Sequence, residues 1–245
     1  MYVVYEPKGR AREYSELACN LYRGCTHGCR YCYAPACMRT TSGQWHTQAE
    51  PRKDVLKLLE KDASRLQGDP RTILFCFLCD PYQPIERTER LTRQAIEILL
   101  KNRLNNQVLT KGCADLILED LDLLKKANTK LGITLSFVDD AIRQDWEPHA
   151  STVADRLNIL KEAHKAGIYT WLSLEPVIDP GQALSVIQSA HRDVDFWKVG
   201  KLNHMKKQEE TVDWAKFLVD AETLLKKLGA KYYIKQDLQA FRAKS

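Results

Sequence analysis

The stretch Gly24-Cys25-Thr26-His27-Gly28-Cys29-Arg30-Tyr31-Cys32-Tyr33-Ala34-Pro35 constrains this chain more than any other. Its cysteines follow the spacing C-x3-C-x2-C, compact enough for one loop to wrap one inorganic cluster. Cysteine thiolates are the usual ligands of iron–sulfur clusters, and a cubane cluster has four irons. Three thiolates therefore leave one iron open to a small molecule, as catalytic metal sites keep a position that structural sites close. Gly24 and Gly28 allow positive φ and a close backbone approach. The competing reading is a zinc knuckle or a set of unrelated buried cysteines. Structural zinc prefers two paired ligand sets, and here a fourth ligand would have to come from Cys19 or Cys37.

The rest of the chain reads as α/β. Apolar runs at 72–78, 107–110, 133–137, 168–174 and 195–199 have the character of strands buried on both faces of a parallel sheet. A short strand at 17–22 precedes them and a last one at 231–234 follows. Between them, amphipathic spacing predicts helices at about 53–66, 89–100, 116–127, 152–166, 183–190 and 212–228. Alternating strands and helices imply right-handed βα units closing into a barrel or open barrel. Residues 1–16 are expected to be an extended N-terminal arm. Residues 17–245 are expected to be one domain, a partial (β/α)6 TIM-like barrel with a C-terminal helix and strand extension.

With 44% hydrophobic and 28% charged residues, the 245-residue chain has the composition of an ordinary soluble domain. It contains no apolar run of membrane-spanning length, and Met1 to Lys8 lacks the layout of a signal peptide. Eight unevenly spaced cysteines argue for a reducing cytoplasm rather than a disulfide scaffold. A net charge of +5 is compatible with an anionic partner without demanding one.

In β/α barrels, chemistry collects where strands end and the following loops begin. Those positions carry Cys79-Asp80, Lys111, Ser136 and Glu175. The C-x2-C pair Cys76/Cys79 is expected to diverge, because residues three apart on a strand face opposite sides. That places Cys76 in the core and Cys79 toward the lumen. His149 has equal claims on the lumen and the surface. Trp171, Trp197, Tyr82 and Tyr233 are candidates to stack on a base, though core or rim positions suit most of them.

The cysteine loop resembles the signature of the radical S-adenosylmethionine (radical SAM) enzymes. The run Asp80 to Glu86, then Arg90 and Arg93, Thr110-Lys111, Trp146-Glu147-Pro148-His149 and Arg156-Leu157 resembles their spore photoproduct lyase-related branch, over roughly residues 17–200. The resemblance implies a [4Fe-4S] cluster on Cys25, Cys29 and Cys32, with SAM on the open iron. It implies Tyr31 at the adenine, with Tyr33 beside it in the SAM site. Cys79 and Asp80 would meet the amino group of SAM, Lys111 its carboxylate and Ser136 its ribose, with Arg156 or Glu175 completing the pocket. The implied chemistry is reductive cleavage of SAM to a 5′-deoxyadenosyl radical that takes a hydrogen atom from a substrate. Cys79, or after it Cys113, is a candidate to return a hydrogen atom, the favoured alternative for either being a small polar residue that lines the SAM site. The branch points to DNA or a nucleotide as substrate, with a lyase or repair reaction and an electron donor such as flavodoxin or ferredoxin. A small-molecule or peptide substrate, or a non-catalytic iron–sulfur module for electron transfer or sensing, is the alternative.

Overall fold

The structure is a computed structural model and describes residues 2–242. Its strands, in chain order, are β1 (Val4–Tyr5), β2 (Leu17–Cys19), β3 (Tyr22–Arg23), β4 (Glu50–Pro51), β5 (Ile73–Phe75), β6 (Asn106–Thr110), β7 (Lys130–Thr134), β8 (Thr170–Leu174), β9 (Phe196–Val199) and β10 (Tyr232–Ile234). Eight form one sheet in the order β1-β2-β5-β6-β7-β8-β9-β10, and β3 with β4 makes a separate antiparallel pair. Every pairing from β2 to β10 is parallel; only β1, at the edge, runs antiparallel. Parallel neighbours need crossovers, and helices supply them, so the architecture is the expected α/β partial barrel. All five residues of β8 are buried, as expected for a strand covered on both faces.

The covering helices bury one stripe each. In Val55–Arg65 the stripe is Val55, Leu59 and Ala63; in Leu91–Lys101 it is Leu91, Ala95, Ile96 and Leu99. Val153–Lys165 begins at a reciprocal cap between Thr152 and Asp155, which satisfies amide groups that the first helical turn leaves unpaired.

The structure departs from the sequence expectation in several places, each for a local reason. The strand expected at 133–137 lies at Lys130–Thr134. Leu135 and Phe137 lie past the last strand residue yet are fully buried, and Leu135 N still donates across to Ser173 O at 3.2 Å. The helix expected through 116–127 divides at Asp120. That buried carboxylate accepts from Tyr82, Arg90 and Arg93. A helix not anticipated, Asp140–Trp146, starts where the Asp139 side chain accepts from the amides of Ala141 and Ile142. Within residues 1–16, β1 pairs with β2 and a 3-10 turn at Gly9–Glu13 leads Tyr14 inward.

Gly132, in β7, lies under the indole of Trp171 on the neighbouring strand, and a β-carbon there would overlap the ring. Gly132→Ala is expected to lower stability by about 1–3 kcal/mol through overpacking, read as a lower urea midpoint at unchanged slope.

Candidate active site

A cavity of about 650 Å³ opens at the C-terminal ends of the parallel strands. Cys25, Cys29 and Cys32 border it, joined by His27, Tyr31 and Tyr33 from the same loop. Cys79, Asp80 and Lys111 line it as well, as do Tyr14, Ser173, Glu175, Lys201 and Lys235. All eight cysteines of the chain are free thiols.

The cysteine loop is held from two sides. On one side Cys25 N donates to Trp45 O at 3.2 Å. On the other, Arg30 N donates to Trp146 O at 3.0 Å and His149 N to His27 O at 3.1 Å. Gly28, at φ 69°, presses on this second segment; a β-carbon there would stand 3.3 Å from both Pro148 and His149. The position therefore needs glycine both for its backbone and for the contact. Burial pushes Cys29 up to about 11, with the Lys111 ammonium pulling the other way, and raises Cys25 and Cys32 as well. Such thiols ionise when a metal supplies the compensating charge.

Asp80 is fully engaged within the protein. One carboxylate oxygen accepts from Tyr82 N at 2.8 Å and Thr110 Oγ1 at 2.6 Å. The other accepts from Lys111 N at 2.8 Å and lies 3.2 Å from His27 Nε2. Burial opposes its charge, but His27 and these hydrogen bonds overcome that and hold the carboxyl at about 2. Asp80 thus ties the end of β6 to the cysteine loop.

Lys111 Nζ donates to Tyr31 Oη at 2.9 Å and stands 3.6 Å from Glu147 Oε1. Tyr31 in turn donates to Glu147. The other Glu147 oxygen meets Arg156 at 2.5 Å, an ion pair without the alignment of a hydrogen bond. Arg156 also donates to Thr134 O at 3.1 Å. Both members of the pair are completely buried.

The remaining expected site residues divide into two groups. Glu175 faces the cavity, where it accepts from Lys235 at 2.6 Å and from Tyr14 at 2.5 Å. Ser136, Arg156 and Cys113 do not line it. Ser136 is fully buried and its Oγ has no hydrogen-bond partner among the described residues. Cys113 is half-buried behind Lys111. His149 is exposed against Gly28, while Trp171, Trp197 and Tyr82 are core.

The C-x2-C pair behaves differently from the strand expectation. β5 ends at Phe75, so alternation no longer governs the next residues, and Cys76 and Cys79 both border the cavity. Burial, then the adjoining Cys79 thiol, push Cys76 well up.

Sequence reasoning assigned no role to Glu147, Tyr14, Lys235 or Ser173. Glu147 stood within the quoted Trp146–His149 run, the one local signal available for it. The other three are brought to the cavity by contacts between distant segments.

The profile described as the Radical SAM superfamily matches residues 19–193. The chain belongs to the radical SAM superfamily. Its cofactors are a [4Fe-4S] cluster and SAM. The donor chemistry suits them: three free thiols of one loop border the cavity that Lys111 also lines, although no three His, Cys, Asp or Glu side chains among the described residues stand close enough to share a single metal ion. An uncharacterized protein of Methanocaldococcus jannaschii is 30% identical over 161 residues, 65% of this chain and 59% of that protein. An uncharacterized protein of Mycobacterium tuberculosis is 27% identical over 167 residues, 65% of this chain and 48% of that protein. The chain thus spans about half to three-fifths of these relatives' lengths. Among solved structures, Streptococcus suis SuiB bound to S-adenosylmethionine matches with a TM-score of 0.64 at 12% identity, covering 90% of this chain and 50% of that one. A spore photoproduct lyase mutant with a dinucleoside spore photoproduct gives 0.67 at 15% identity, covering 94% and 78%. At these identities the likeness is one of fold. Among the described residues, no helix is long and apolar enough to cross a membrane.

Proposed function

We propose that this radical SAM protein is an enzyme that cleaves SAM reductively and abstracts a hydrogen atom from a nucleic-acid or nucleotide substrate. The observation carrying this reading is that one cavity connects the Cys25/Cys29/Cys32 thiols, Lys111 and the Glu175–Lys235 pair. When bound, the cluster supplies the electron that breaks the sulfonium bond, and SAM supplies the 5′-deoxyadenosyl radical.

The chain's own residues bind and orient. Cys25, Cys29 and Cys32 would hold the cluster. Lys111 meets the SAM carboxylate as an opposite point charge. Tyr31 and Tyr33 border the adenine side. Asp80, bonded to Tyr82, Thr110 and Lys111, fixes the end of β6 beside the loop while its carboxylate lines the cavity toward the SAM amino group. Tyr14, Ser173 and the Glu175–Lys235 pair, away from the cysteines in sequence but on the same cavity, supply the polar groups that orient a polar substrate. Cys79 borders the same cavity, and burial keeps its neighbour Cys76 protonated. A thiol there is placed to return a hydrogen atom to a substrate radical. Eight free cysteines suit a reducing cytoplasm, and a flavodoxin- or ferredoxin-type protein is the fitting electron donor.

The test is anaerobic. Protein with a reconstituted cluster, dithionite and SAM is expected to release 5′-deoxyadenosine, and irradiated DNA is expected to raise the yield in a salt-sensitive way. Stimulation by peptides or small molecules but not by DNA would reassign the substrate. A four-iron cluster that never yields 5′-deoxyadenosine would favour electron transfer or sensing.

A further inference from the structure

The segment 146–151 has no place in the expected SAM pocket, yet it is bonded to both halves of it. Trp146 O and His149 N join it to the cysteine loop at 3.0 and 3.1 Å. Its far end reaches Lys111, whose carbonyl accepts from Ser151 N and from Ser151 Oγ, each at 3.0 Å. Between these anchors, Glu147 turns its carboxylate inward. Its own backbone is pinned by Arg143, with Glu147 N donating to Arg143 O at 2.7 Å and Arg143 donating to Glu147 O at 2.8 Å.

The buried carboxylate gathers three groups from three elements. Tyr31 comes from the cysteine loop, Lys111 from the end of β6 and Arg156 from the helix Val153–Lys165. Only Tyr31 and Lys111 reach the cavity; Glu147 and Arg156 stand behind them. A lysine on a four-carbon stem has many rotamers, and an ammonium that must meet a ligand carboxylate at a fixed place benefits from being ordered beforehand. Glu147 provides that order twice, by its charge at 3.6 Å from Nζ and through the Tyr31 hydroxyl that Nζ contacts at 2.9 Å. Arg156 balances the second carboxylate oxygen, so the cluster of groups keeps a net positive charge facing the cavity.

We propose that Glu147 is a positioning residue for SAM: directly and through the Tyr31 hydroxyl, it holds the Lys111 ammonium in the place that receives the carboxylate end of the cofactor. The inference rests on the reading of Lys111 as the group that meets the SAM carboxylate.

Equilibrium binding to the cluster-loaded protein, without turnover, separates this role from a structural one. The ligands are SAM and 5′-methylthioadenosine, which keeps the adenosine and sulfur but has no carboxylate. Glu147→Gln is expected to weaken SAM about tenfold, roughly 1.4 kcal/mol, and to leave 5′-methylthioadenosine unchanged. Combined with Lys111→Ala, it should add nothing for SAM, because the residue acts through that lysine. Additive losses, equal weakening of both ligands or tighter SAM binding would overturn the proposal. If Glu147→Gln fails to fold, Tyr31→Phe, which removes only the bridging hydroxyl, should give a smaller loss specific to SAM; no loss would equally overturn it. If Lys111→Ala alone binds SAM normally, the reading of Lys111 falls, independently of whether Glu147 matters.

Discussion

A Cys29→Ala protein is expected to remain folded, to retain no stable iron–sulfur absorbance through gel filtration and to release no 5′-deoxyadenosine under dithionite and SAM. Cys29 sits in a loop whose backbone contacts do not involve its sulfur: Cys32 N bonds Cys29 O, and Arg30 N bonds Trp146 O. Removing one buried sulfur should therefore cost little stability, while removing one of three ligands leaves a cubane with only two thiolates. Cys37→Ala is the informative control. Cys37 also borders the cavity but is exposed and falls outside the C-x3-C-x2-C spacing, so its loss should leave iron content and product formation intact. Loss of the cluster in Cys37→Ala would mean a fourth thiolate closes the site, contrary to a cluster with an open iron.

Arg156→Ala is expected to destabilise the fold by about 3 kcal/mol, because the fully buried Glu147 carboxylate loses its closest counter-charge and keeps only Lys111 at 3.6 Å and the Tyr31 hydroxyl. Replacing both partners, as in Glu147→Gln with Arg156→Met, should restore part of that loss, since no buried carboxylate then lacks its guanidinium, while the less buried Lys111 ammonium gives up one partner. Urea midpoints at neutral pH check both outcomes; equal destabilisation in the single and double variants would refute the argument. The pair also sets a pH dependence. Burial works against the Glu147 charge, but Arg156, then Lys111, then the Tyr31 hydroxyl hold its carboxyl at about 2, against an ordinary value of 4.5. A depressed folded-state value means stabilisation that is complete above about 4.5 and is lost as pH falls toward 2. The stability gap between the parent and the double variant should therefore shift against the parent across that window. It is best measured before cluster reconstitution, so that acid loss of iron does not intervene.

The parts of this protein whose physics is local were legible in its residues alone. Cys25, Cys29 and Cys32 lie within one loop, so their spacing alone specifies a cluster that a single turn of chain can wrap. The β/α alternation was equally legible, because strands covered on both faces are apolar runs and the helices between them carry one apolar stripe. Boundaries were less so. Leu135 and Phe137 are as buried as strand residues yet lie past the end of β7, and apolar character cannot distinguish the two.

Only the tertiary structure decided how the site is held. Glu147 lies 36 positions from Lys111 and 116 from Tyr31, and no periodicity links residues that far apart. Asp80 was expected at the SAM amino group from its place at a strand end, and only the folded chain shows that Thr110 and Lys111 also hold it, with His27 beside it at 3.2 Å. Cys76 and Cys79 were assigned opposite faces by the rule for strands, and the early end of β5 at Phe75 returned both to the cavity. For Glu147 and Asp80 the deciding contact is a buried charge finding partners from other segments, which burial makes obligatory and which local sequence does not encode.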